Sequence, residues 1–275
     1  LCASLGLGLP GCGGGGSSPS PPAPSAAPTP TPAAPSGEWT LVWADEFDTP
    51  GSPDPARWTY DIGYIANNEL QYYTSRSENV RIEGGHLVIE ARKEPWMGYE
   101  YTSARLKTQG ILEFTYGRVE VRAQLPTGRG TWPAIWTLGA NISQAGWPRC
   151  GEIDIMENVG FDPLRIHGAV HTEAFNHTRG NHRSGTVEAS PAPSDAFHVY
   201  SMEWTPTRID VFFNGEPYFT FENDGSGVAA WPFDQPQFLL LNLASGGNWG
   251  GQQGVDDSLF PHFYSVDYVR VYQRQ

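Results

Sequence analysis

From Trp39 to the end of the chain, apolar residues alternate with polar ones or gather in short runs, and no long stretch repeats them at the helical period. β-Branched and aromatic runs at 87–92, 118–125, 166–171, 199–204, 208–213, 238–243 and 264–272 are separated by turns of Gly, Pro, Asn and Asp. Each predicts a strand. Asn214-Gly215 falls between two of them and predicts a tight hairpin, because both residues tolerate the positive φ of a two-residue turn. Many short strands with no long amphipathic helix predict an all-β sandwich of two curved antiparallel sheets over 38–275.

Two earlier segments break this pattern. Residues 1–12, Leu-Cys-Ala-Ser-Leu-Gly-Leu-Gly-Leu-Pro-Gly-Cys, have the apolar character of the end of a secretory signal, with no basic stretch before it. Leu-Pro-Gly-Cys12 resembles a bacterial lipoprotein signal, although Pro departs from the usual residue, so a secreted protein and a cell-surface protein lipid-anchored through Cys12 both stay open. Residues 13–37 are Gly, Ser, Pro, Ala and Thr without charge or aromatics, which predicts a disordered spacer able to tether a domain. Cys2 and Cys12 fall in the leader, leaving Cys150 alone in the folded part and no internal disulfide.

The chemistry concentrates in Gly-Glu-Ile-Asp-Ile-Met-Glu, 151–157, where Glu152, Asp154 and Glu157 lie within one apolar strand. Side chains alternate between the faces of a strand, so Glu157 should point away from the other two. A bulge at Ile155 and Met156 would turn both apolar residues to the core and return Glu157 to the acidic face. Two carboxyls about 5–5.5 Å apart suit a retaining glycosidase, one attacking the anomeric carbon and the other protonating the leaving oxygen. Asp154 between them would keep Glu152 ionised while a raised pKa keeps Glu157 protonated.

The bland alternative is an exposed strand that happens to be acidic. Gly-Thr-Trp-Pro-Ala-Ile-Trp at 130–136 and Gly-Trp-Pro at 146–148 weigh against it, because indole faces stack on the apolar C–H faces of sugars. Cys150 shares the face of Glu152 and is expected as a small residue packed at the cleft floor, not as a nucleophile. His167 and His171 have no zinc-finger spacing, since on a strand they do not converge as they would on a helix.

The run from Gly151 to Gly160, Gly-Glu-Ile-Asp-Ile-Met-Glu-Asn-Val-Gly, resembles the signature of glycoside hydrolase family 16 in the bulged form of laminarinases, the endo-β-1,3-glucanases. Further blocks resemble laminarinases in the same order: Trp43-Ala-Asp-Glu-Phe-Asp48, Asn67-Asn-Glu-Leu-Gln-Tyr-Tyr-Thr74, Tyr101-Thr-Ser-Ala-Arg105, Tyr116-Gly-Arg-Val-Glu120, Trp132-Pro-Ala-Ile-Trp136, Phe197-His-Val-Tyr200, Gly246-Gly-Asn-Trp249 and Val266-Asp-Tyr-Val-Arg-Val-Tyr272. The resemblance implies a concanavalin-like jelly roll with substrate across its concave face, Glu152 as nucleophile, Glu157 as general acid and base, and Asp154 as the assisting carboxylate. It also implies that His171 lines the cleft near Glu157, that Trp132 and Trp136 floor the central subsites, that Asn68 and Arg105 bond sugar hydroxyls, and that Trp249 forms a further wall. Catalysis would need no cofactor. A structural calcium on the convex side would map to Glu46, Gly85 and Asp267, although Asp267 read by itself serves equally as a cap on an edge strand.

Composition narrows the partners. Charged residues make up 17% of the chain, against about 25% in an average protein, and aromatics 13%, which suits an aromatic cleft. A net charge of −13 disfavours nucleic acid, an anionic membrane surface and sulfated polysaccharides. A monomer acting on β-1,3-glucan, with mixed β-1,3-1,4-glucan as a further substrate, is the expected enzyme. The competing class is a glucan-binding or lectin-like protein on the same scaffold, which would have no use for all three acids. The unbulged strand of lichenases and xyloglucan transferases is absent. Agarases and carrageenases share the bulge but lack the Asn-Asn-Glu-Leu-Gln-Tyr-Tyr-Thr block.

Overall fold

The alternating runs become the strands of two stacked sheets in the computed structural model, which describes residues 37–274. The expected leader at 1–12, the expected lipid anchor at Cys12 and the expected spacer at 13–37, save for Gly37, lie outside the described residues. One sheet has seven strands, in the order Arg183–Glu188, Arg165–His171, Glu152–Glu157, Thr131–Gly139, Gln237–Ser245, Arg105–Lys107 and Thr59–Tyr60. The other has ten, running through Glu216–Glu222, Arg208–Phe213, His198–Trp204, Gly117–Gln124, His262–Arg274, His86–Trp96, Tyr99–Ser103 and Gln71–Tyr73, with Trp39–Asp45 and Val80–Glu83 at its margins. Every named pairing is antiparallel except that of Gln71–Tyr73 with Tyr99–Ser103. Among the described residues the only α-helix is Ile142–Ala145, and no helix is long and apolar enough to cross a membrane.

All seven expected strands are present with ends within four residues of those expected; Arg208–Phe213 is unchanged and Gly117–Gln124 lies one residue earlier. Asn214 and Gly215 join Arg208–Phe213 to Glu216–Glu222 with φ of 50° and 87°, the conformation their side chains permit. The strand Thr131–Gly139, absent from the expected set, lies in the middle of the seven-stranded sheet. Pro133 is its third residue; it has no N–H to give, but its carbonyl accepts from Asn158 N at 3.3 Å.

Alternate residues of both sheets form one core. Val119, Val121, Tyr200, Met202, Val269 and Val271 from the ten-stranded sheet meet Ile135, Ile153, Ile166, Leu239 and Leu241 from the seven-stranded one. The opposite face of the seven-stranded sheet is free for other work. Gly139 lies where that sheet closes on the approach to Glu152: a Cβ there would stand 2.1 Å from the carbonyl oxygen of Cys150. Gly151, at φ 79°, makes the left-handed step immediately before the acidic strand.

Candidate active site

Glu152–Glu157 pairs with Thr131–Gly139 on one side and Arg165–His171 on the other, and it bulges against both. Asp154 lies opposite Trp136 while Met156 lies opposite Ile135, so two residues of the strand span one step of its neighbour. The bulge has an energetic reason. Ile155 and Met156 are consecutive, both are fully buried in the core, and each contributes about 1.5–3 kcal/mol by being there. Strict alternation would expose one of them. Tyr218 Oη donates to the carbonyl of Ile155 at 2.7 Å, giving that buried oxygen a partner at the irregular step. Glu152, Asp154 and Glu157 therefore emerge together on the outer face.

Each outer acid is held by an indole. Trp147 Nε1 donates to Glu152 Oε2 at 2.9 Å, and Trp132 Nε1 donates to Glu157 Oε1 at 2.9 Å. Asp154 does not hold Glu152 ionised as the sequence led us to expect: burial and the charge of Asp154 push the Glu152 carboxyl up to about 8, and the same two causes raise Glu157 to about 8. Burial raises Asp154 to about 7. The two indole bonds favour the ionised carboxylates and oppose these shifts. Three desolvated acids side by side cannot all ionise near neutrality, so the site retains a proton while offering a carboxylate. Cys150 is fully buried beneath Glu152, packed with Leu138, Phe238 and Leu240, and its thiol is pushed up to about 11 by burial and by the charge of Glu152. That environment makes it a floor residue and a poor nucleophile.

His171 sits at the other end of the acid row from the place expected of it. Antiparallel pairing sets His171 opposite Glu152 and His167 opposite Glu157. His171 Nε2 is 3.3 Å from Asp154 Oδ2 and 3.8 Å from Glu152 Oε1. Glu152, Asp154 and His171 present ligand-type atoms within 4.8 Å of one another. The main-chain N–H of His177 donates to His171 Nδ1 at 3.3 Å, which leaves the proton of the neutral ring on Nε2, the atom facing the acids.

The remaining expected residues surround this row. Trp136 Nε1 donates to Asn242 Oδ1 at 2.7 Å, and the Arg105 guanidinium lies 4.6 Å from the centre of its ring while pairing with Asp61 at 2.9 Å. Asn242 in turn donates to Tyr73 Oη at 3.2 Å, and Tyr73 donates to the buried Glu69 at 3.0 Å. Asn68, in a left-handed turn, donates to Asn248 Oδ1 at 2.8 Å, which ties it to the loop carrying Trp249. The Trp249 ring stands edge-on to Trp132 at 5.7 Å and to His167 at 4.8 Å. Trp147, His167, Asn242 and the Glu69–Tyr73 pair were not singled out from the sequence as site residues; the Trp in Gly-Trp-Pro and the block 67–74, which holds Glu69 and Tyr73, carried the signals that could have found them.

The expected calcium residues lie apart from the acids, on the other sheet. Arg270 donates to both Glu46 carboxylate oxygens, at 2.9 and 2.8 Å, and Arg122 donates to Asp267 Oδ2 at 2.6 Å. Gly85 occupies the turn between Val80–Glu83 and His86–Trp96.

This geometry has close counterparts. The chain is 54% identical over 245 residues to a β-glucanase of Rhodothermus marinus, across 86% of this chain and 85% of that protein. Its structure superposes on the laminarinase of Rhodothermus marinus with a TM-score of 0.85 at 53% identity, covering 87% of this chain and 99% of the other. It matches SCLam, a non-specific endo-β-1,3(4)-glucanase, with a TM-score of 0.82 at 49% identity, covering 88% and 96%. Residues 67–270 match the model of glycosyl hydrolases family 16, and with the bulged acidic strand at its centre the chain belongs to that family.

Proposed function

We propose that the protein is an endo-acting retaining glycoside hydrolase that cleaves β-1,3-glucosidic bonds in laminarin-type glucans, and also bonds in mixed β-1,3-1,4-glucans. The observation that carries this reading is the bulge that sets two indole-bonded carboxyls and a third acid on one Trp-lined face. The printed activities of its relatives, laminarinase and non-specific endo-β-1,3(4)-glucanase, support the substrate class.

Glu152 attacks the anomeric carbon while Glu157 gives its proton to the leaving oxygen, and a glycosyl ester forms on Glu152. Glu157, now ionised, takes a proton from water, which attacks the same carbon and releases Glu152. Asp154 raises both neighbours by its charge, so the proton needed for the first step is retained near neutral pH. Trp132, Trp136 and Trp249 offer rings to the sugar faces, Arg105 and Asn68 offer donors to hydroxyls, and His171 lines the cleft beside Glu152 and Asp154.

The remaining expectations join the proposal. Residues 38–275 act as a monomeric catalytic domain, secreted or held at the cell surface through Cys12 and the spacer. A calcium would take main-chain oxygens of Glu46 and Gly85 with the Asp267 carboxylate, in keeping with the all-oxygen donor set of that ion, and would have to compete there with Arg122 at Oδ2 and with His86 Nε2, 3.6 Å from Oδ1. Chelation with EGTA should then lower the melting temperature and added calcium restore it.

The test is reducing-end release from laminarin, barley mixed-linkage glucan, xyloglucan, agarose and carrageenan. A ladder of oligosaccharides from laminarin is expected. Silence there with activity on a galactan would reassign the substrate, and binding without any turnover would make the protein a lectin.

A further inference from the structure

The loop that follows the strand Arg165–His171 is built around one buried side chain, and the construction ends at the active site. Asn176 is 2% exposed. Its Nδ2 donates to the carbonyl of Thr172 at 3.0 Å, and its Oδ1 accepts from Arg179 N at 3.2 Å and Thr178 Oγ1 at 2.6 Å. Its own N–H goes to Asn181 Oδ1 at 3.1 Å, while Asn181 Nδ2 closes on the carbonyl of Ala174 at 3.0 Å. These bonds fold the chain back over its own strand and aim the N–H of His177, the first residue of a single 3-10 turn, at His171 Nδ1, 3.3 Å away.

We propose that this loop is a positioning device for the nucleophile: the His177 main-chain N–H holds His171 as the tautomer protonated on Nε2, so that the ring donates toward Asp154 and keeps negative charge on the Glu152–Asp154 side of the site. Asp154 Oδ2 is buried and makes no hydrogen bond in the structure; His171 Nε2 lies 3.3 Å from it without its N–H in line, near enough that a turn of the ring would bring the two together. The other tautomer would set an N–H against an N–H at His177 and a lone pair against the carboxylate. Both contacts are repulsive, so the amide selects the first. A proton drawn away from Glu152 and Asp154 is left for Glu157, which is the division of charge that a retaining enzyme needs before substrate reacts. The inference rests on the reading of Glu152 as nucleophile.

The other titratable groups around the pair are Glu157 on the same strand, Cys150 just before it, Tyr218 beneath the bulge, His167 opposite Glu157, and the rings of His177 and His182, at 5.1 and 5.4 Å from that of His171. A comparison of two variants at one position holds all of these constant. His177→Ala and His177→Pro both remove the imidazole, and only the second removes the N–H. Proline fits there, because the first position of a helical turn has no helical partner for its N–H, and Asn176 already has the extended backbone (φ −158°, ψ 163°) that a residue before proline requires.

The acid limb of the kcat/KM profile on laminarin should lie about one pH unit higher in His177→Pro than in His177→Ala, with thermal unfolding showing both variants folded. Nitrogen-15 NMR of the His171 ring in the unaltered protein reads the tautomer directly and should place the proton on Nε2. A proton on Nδ1, or coincident acid limbs in the two folded variants, overturns the proposal. If the protein hydrolyses no glucan, the substrate reading fails while the tautomer measurement still decides whether the loop sets the ring.

Discussion

The outward faces of the two sheets carry acids of the same kind in opposite company. On the ten-stranded sheet a row of outward acids has cations beside it: Arg118 meets Glu120 at 2.8 Å and Glu203 at 3.4 Å, Arg122 meets Asp267 at 2.6 Å, and Arg208 meets Asp210 at 2.6 Å. On the seven-stranded sheet Glu152, Asp154 and Glu157 stand in a row with indole N–H groups and a histidine as their neighbours and no arginine or lysine bonded to them. Strand alternation produced both faces, and the pairing of charge separates them. A paired acid on a wet face is held ionised and contributes little to stability. An unpaired row in a desolvated groove keeps a proton at neutral pH, which costs stability and provides acid–base chemistry.

The sharpest way to break this contrast is to remove one outer acid. Glu152→Gln or Glu157→Gln should lower kcat by about a thousandfold or more while glucan still binds, measured by single-turnover kinetics beside calorimetry. Wild-type rates in either variant would end the assignment. Next in size are the indole bonds. Trp147→Phe and Trp132→Phe keep a ring and lose one N–H each, and a hydrogen bond to a charged group is worth about 1.5–3 kcal/mol, or about one to two pH units. Because each bond lowers its acid, losing Trp147 N–H should move the acid limb of kcat/KM upward, and losing Trp132 N–H should move the alkaline limb upward.

Stability should follow the same logic with a smaller effect. The folded-state values of Glu152 and Glu157 lie above those of an unfolded chain, so their contribution is fully present below about 4.5 and is lost as pH rises through about 8. Glu157→Gln should therefore raise the melting temperature at pH 9 by about 2–4 °C, and by less at pH 5, in a thermal-shift series. Smallest of all is the other sheet. Arg118→Ala should cost at most about 1 kcal/mol in chemical denaturation and leave the pH–rate profile where it was, because its partners are solvated.

Much of this was legible before any coordinates. The strands were visible wherever one face is buried and the other wet, as in Gly117–Gln124, whose residues alternate between buried and half-exposed. Thr131–Gly139 was not, since it opens Thr-Trp-Pro-Ala and seven of its nine residues are buried, which erases the alternation. The bulge could be inferred because Ile155 and Met156 are both apolar between acids. The partner of each acid could not. Trp147 is five residues from Glu152, but Trp132 is 25 from Glu157, and only the pairing of neighbouring strands brings them within 2.9 Å.

The sequence by itself determined the sandwich, the bulged acidic strand and the row of three carboxyls on one face, because alternation and the burial of Ile155 and Met156 are local consequences of residue order. Tertiary structure alone decided which indole holds which acid, that His171 serves Glu152 and Asp154 rather than Glu157, and that a main-chain N–H from a folded-back loop points at its ring. Those depend on the register of one strand against the next and on where a loop returns, and neither is fixed by spacing along the chain.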